Sequence, residues 1–175
     1  MDPLPDGSES DPVWDDDANL QRVELLIALA DEVGDRRLVA GIAPLFERAA
    51  LGDVFEMMQG IRHGAERAVE PAWGLLTAIM RPLAQHKRAG CRRWAVRELG
   101  VLRDSSALDD LVASLEDAEE QVRAEACMSL VMLRRDISED QRSDLRRHLE
   151  SVERNDDSAL VRAAANRELA RLTML

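Results

Sequence analysis

Three stretches of twelve residues in the second half of the chain superpose without a gap: Cys91 to Leu102, Val122 to Leu133 and Val161 to Leu172. Each has Arg in second place, Ala in fifth, and Leu in ninth and twelfth. The apolar positions 91, 95, 99, 102 recur as 122, 126, 130, 133 and again as 161, 165, 169, 172. That spacing puts four side chains on one stripe of an α-helix and on no single face of a strand. One amphipathic helix cannot cover its own stripe. A helix that returns every thirty to forty residues therefore predicts a stack in which each unit buries its face against the next.

Composition agrees with a helical stack. Hydrophobic residues make up 46% of the 175 residues, but aromatics only 3%, with no Tyr. A core of Leu, Ala, Val, Ile and Met suits close helix packing better than a β-sandwich. The net charge of −11 is unevenly placed. Residues 1–17 hold Asp2, Asp6, Glu9, Asp11, Asp15, Asp16 and Asp17 and no base, so without them the body is close to balance. Neither part has the basic excess that phosphate neutralisation requires, which argues against a nucleic-acid partner. The longest apolar run, around Ala72 to Met80, is too short to span a bilayer, and no basic-then-apolar leader opens the chain; a cytoplasmic protein with no membrane partner is expected. Cys91 and Cys127 fall on or beside equivalent core positions, which predicts buried reduced thiols rather than a disulfide framework.

Along the chain, residues 1–17 read as an acidic flexible tail and residues 18–175 as one helical repeat domain. Trp14 in the tail has two readings, docking back on the first helix or anchoring a recognition motif. Leu20, Val23, Ile27, Ala30 and Val33 form one stripe, and Leu38, Ile42, Leu45, Phe46 and Ala49 another. The stretch Pro71 to Met80 is apolar almost all round, predicting a deep helix that Pro82 kinks or ends. Further helices are expected near 91–102, 105–116, 119–133, 139–153 and 157–172. Asp53 with Glu56, Asp117 with Glu120, and Ser138 with Gln141 fit the capping-box spacing. No run alternates with period two for long enough to be a strand, so the expected class is all-α.

The stretch Arg92 to Leu115, with Leu99-Gly100-Val101-Leu102-Arg103-Asp104 at its centre, resembles a HEAT repeat of the short kind first recognised in bilin lyases. The likeness is good over 91–133, fair over 158–172 and loose over 20–50. It implies an α–α superhelix of about four antiparallel helix pairs, with second helices lining a concave face used for protein binding. Helix periodicity independently leaves Asp109, Asp110, Ala113 and Ser114 to solvent on one second helix, and Arg142, Arg146 and Glu150 on the next. Asp109, Asp110, Arg142 and Arg146, with Trp14, are thus the candidate partner-binding residues. The column Arg92, Arg123, Arg162 lies near the turn acids Asp104, Asp117 and Asp136. It reads either as a ligand site or, in preference, as an inter-repeat ladder of ion pairs.

Catalytic chemistry is hard to assemble from these residues. His63, His86 and His148 lie on different expected helices without a ligand-spaced neighbour, and there is no Cys-x-x-Cys or His-Glu pair, so no metal is expected. Gly60 and Gly64 do not make a phosphate loop, and no cofactor site is apparent. The Met pairs 57–58 and 128/132 read as core filler. The expected function is a non-catalytic scaffold, adaptor or regulatory subunit for another protein. The alternative is a lyase-like or chaperone-like helper of a tetrapyrrole-bearing protein.

Overall fold

The computed structural model describes residue 61 and residues 73–173. The acidic tail with Trp14, the two stripes between Leu20 and Ala49, the Asp53 cap, Met57, Met58 and His63 lie outside the described residues. Residues 73–173 form six α-helices: α1 Trp73–Leu83, α2 Ala89–Leu102, α3 Leu108–Ala113, α4 Glu120–Met132, α5 Glu139–Asn155 and α6 Ala159–Thr173. The described part is an all-α solenoid without a strand. Short 3-10 turns at Ser105–Ala107 and Ser114–Glu116 extend α3 to the span expected for it.

The threefold pattern falls on α2, α4 and α6, the first helices of successive pairs. They pack side by side, α2 on α4 and α4 on α6. The second helices α1, α3 and α5 lie across them, α1 on α2, α3 on α4, and α5 on α6. In the central repeat, Val122, Ala126, Leu130 and Leu133 are all fully buried. In the flanking repeats only the last positions, Leu102, Leu169 and Leu172, are half-buried. α1 is more one-sided than its composition suggests. Leu76, Ile79, Met80 and Leu83 are buried, but Gly74 and Ala78 are half-buried and Arg81 is exposed. Pro82 sits in its last turn, where it removes an amide that would donate to Ala78 O, and the helix ends one residue later.

Local chemistry sets the boundaries. Ser138 forms the expected capping box: Gln141 N donates to its hydroxyl at 3.2 Å, and Ser138 N donates to the Gln141 side chain at 2.8 Å. The Asp117–Glu120 box does not form, because the Asp117 carboxylate accepts from Glu119 N at 2.9 Å and is held from outside by an arginine. α2 closes with Arg103 in the left-handed region (φ 55), its N–H donating to Gly100 O. Both cysteines are buried free thiols, and burial pushes the Cys127 pKa up to about 12.

α2 and α4 are in close contact at Gly100. A Cβ built there would stand 2.6 Å from Ser129 Cβ and 2.7 Å from Ser129 Cα. Gly100→Ala ordinarily gains up to about 1 kcal/mol in a helix interior, but overpacking costs about 1–3 kcal/mol. The clash should win, because one of the three obstructing Ser129 atoms is backbone. A thermal melt of Gly100→Ala should show a lower midpoint, whereas a raised one would mean that α2 and α4 have room to spare.

Candidate functional site

Two candidates emerge from the sequence, the arginine column and the exposed charges of the second helices. Arg92, Arg123 and Arg162 each occupy the fourth residue of a first helix. Each folds its Nη1 back onto two carbonyls of the preceding turn. Arg92 donates to His86 O and Lys87 O at 2.9 and 3.1 Å. Arg123 reaches Asp117 O and Ala118 O at 2.8 and 3.2 Å, and Arg162 reaches Asp156 O and Asp157 O at 2.7 and 3.0 Å. These carbonyls lie just before the helix, so the guanidinium ties each first helix to the turn that starts it.

The opposite edge of the guanidinium reaches the next repeat. Arg92 Nε and Nη2 grip Asp117 at 2.7 and 2.8 Å, and Arg123 Nε and Nη2 grip Asp156 at 2.8 and 3.0 Å. Arg123 Nη2 also donates to Asp157 at 2.7 Å. Two of the three expected partners are therefore wrong. Asp104 caps its own turn by accepting from Ser106 N, and Asp136 accepts from Arg103 Nε at 2.9 Å. Both acids lie in the turn within a helix pair, the length of a first helix away from the column. For the 14 residues of α2 that is about 21 Å. The column meets only the turns between pairs. The Arg92 and Arg123 side chains are spent on stacking.

The second-helix charges divide differently from the expectation. Asp109 is exposed, but the Asp110 side chain is only 15% exposed and pairs with Arg81 Nε of α1 at 2.7 Å. Ser114, expected in solvent, is buried and donates to Asp110 O at 2.8 Å. On α5, Arg146 is exposed, and Arg142 is half-buried with an ion pair to Glu139 at 3.0 Å. Arg142 and Arg146 together line a groove of about 400 Å³ with Glu139, Ser143 and Leu172 at the α5–α6 seam. Neither Asp109 nor Asp110 reaches it. Arg142 Nε is buried in the groove wall without a hydrogen-bond acceptor among the described residues.

A second groove, of about 350 Å³, runs over the outer surface of α4 and α6 and was not foreseen. Met128 lines it and Met132 is exposed, so neither is core filler. Its floor carries Glu125, buried on the α4 face turned to α2, which holds Arg93 Nε at 3.2 Å. Glu168 stands nearby, wholly buried and bound to Arg171 and Arg167. A carboxylate on an otherwise apolar face, three or four residues from an Arg, is the sequence signal for Glu168; Glu125 has an Arg only in the neighbouring helix. Among the described residues no cluster of three or more His, Cys, Asp or Glu could hold a metal, and no helix is long and apolar enough to cross a membrane.

The Arg92 and Arg123 guanidiniums hold the Asp117 and Asp156 carboxyls below the usual 3.8. Stability from a carboxyl with a depressed folded pKa is fully present above its unfolded value and is lost as pH falls through the folded one. Acid melts of the wild type should therefore lose stability below pH 3.8 more steeply than those of Asp156→Asn. Parallel acid limbs would mean that the clamp carries no pH-dependent stability.

The HEAT repeats family model matches residues 77–170, from within α1 to near the end of α6 and more than half of the chain. No curated protein and no solved structure matches it. Stacked antiparallel helix pairs, a repeated apolar stripe and turn-to-turn arginine clamps coincide with that span, and the chain belongs to the HEAT-repeat family.

Proposed function

We propose that this protein is a non-catalytic scaffold or adaptor that holds another protein on its second-helix side. HEAT repeats generally mediate protein–protein interaction, which supports the coarse reading. The groove at the α5–α6 seam is the observation that carries the finer one. It combines a half-buried Leu172, the exposed cation of Arg146 and the incompletely satisfied Arg142. One apolar side chain set among charged and polar ones suits a partner with a single apolar anchor. A partner segment with an apolar anchor and acidic flanks would suit it. Asp109 extends the candidate surface on α3. Asp110 belongs with its Arg81 pair rather than with a partner. Trp14 stays a candidate recognition anchor in the acidic extension of residues 1–17.

Proteins captured on the tagged chain should be lost together when Arg142 and Arg146 are both changed to Glu. The same double change should move stability by no more than about 0.5 kcal/mol, since both side chains reach solvent. Capture that survives the charge reversal would exclude the groove and turn attention to Asp109 or Trp14. An absorbance change on mixing with a free bilin, unaffected by these substitutions, would favour the tetrapyrrole-helper alternative instead.

A further inference from the structure

The third arginine of the column is not used like the first two. Arg162 donates Nη1 to Asp156 O and Asp157 O, as Arg92 and Arg123 donate to their own turns. Its Nε and Nη2, the edge that grips an aspartate in both other repeats, have no acceptor among the described residues. The carbonyl clamp nevertheless holds the guanidinium in the same way, so two parallel donors point outward from the start of α6. A fixed fork of this kind is matched by a carboxylate, which accepts both bonds in one plane.

The face beside that fork is equally unfilled. Ala124, Cys127 and Val131 of α4 are buried where α6 packs on α4. The equivalent residues of α6 are Ala163, Asn166 and Ala170, all exposed. The fork and the small-residue face thus reproduce on α6 the arrangement by which α4 receives its neighbour.

We propose that Arg162 and this face of α6 are a docking site for a helical segment of another protein that begins with an aspartate turn. Both internal examples define the turn. Asp117 Oδ1 accepts from Glu119 N at 2.9 Å and Asp156 Oδ1 from Ser158 N at 2.8 Å, so the carboxylate is pinned to the amide two residues on and offered whole to the arginine. The segment required is Asp-x-polar opening a helix whose adjoining face is small or polar. A second copy of this chain is the poorer occupant, because such head-to-tail contact does not close and would propagate. Arg162 stands at the opposite end of α6 from Leu172, so this site is separate from the α5–α6 groove and holds whether or not that groove binds.

The probe is a labelled synthetic peptide with the sequence of residues 154–173, which contains the Asp156 turn and the helix that follows it. Titrated with the full chain in fluorescence anisotropy, it should bind saturably. An Asp156→Asn peptide, or an Arg162→Ala protein, should bind about tenfold more weakly, the scale of a lost charge-assisted pair. Arg162→Lys should also weaken binding, since one ammonium cannot make two parallel bonds. The two losses should not add when combined. The Asn peptide leaves the protein untouched, so a folding defect cannot imitate the result. No saturable binding to the wild type, or binding indifferent to Arg162 because the peptide replaces the chain's own α6, would overturn the proposal. Self-association of the full chain that Arg162→Ala abolishes would overturn the assignment to another protein.

Discussion

Two successive joints between helix pairs are each closed by one guanidinium that belongs to both sides of it. Arg92 and Arg123 satisfy carbonyls of the turn that starts their own helix and the aspartate of the turn that starts the next one. The apolar stripe alone would let successive first helices slide along each other, because aliphatic packing is directional only in its fine detail. A bidentate pair fixed at one end of the helix removes that freedom. With the turn so placed, Gly100 meets Ser129 at a separation that leaves no space for a methyl group. At this joint the register of α2 against α4 follows from these two contacts.

The same constraint explains which surfaces are left for function. Charges that stack the solenoid are mostly sheltered: Arg92, Arg123, Asp117 and Asp156 all have side chains no more than 15% exposed. Asp110 and Glu125 belong to this sheltered group, one joining α1 to α3 and the other holding an arginine of the preceding first helix. The cation of Arg146 and the rim around Leu172 remain. Arg162 lies between the two classes, built like a stacking residue but with half of its donors unspent.

Much of this was legible in the sequence. Four equivalent apolar positions in three gapless copies specify helix, phase and burial, and the stripe of the central copy is buried throughout. The Arg column was legible as a ladder. Its partners were not, because nearness in sequence favoured Asp104 over Asp156, although the helix carries Asp104 to the far end of the joint. Asp110 was misplaced for a related reason. A helical wheel of α3 shows which residues avoid its own stripe, but not that Arg81 arrives from α1. The second-helix groove was half legible. Periodicity pointed to Arg142 and Arg146, whereas Leu172 joins them only through the antiparallel packing of α5 and α6. The outer groove had no local signal, since it arises from side chains of three different helices.

A double-mutant cycle on Arg123 and Asp156, read by urea unfolding, tests the clamp most directly. Arg123→Ala also loses two carbonyl bonds, and Asp156→Ala leaves Arg123 with Asp157, so neither single change isolates the pair. The cycle does. A coupling of about 1–3 kcal/mol, the range for charge-assisted bonds that shelter each other, is the predicted result. A coupling near zero would mean that the stack is held by its apolar stripe alone and that the arginine column merely decorates it.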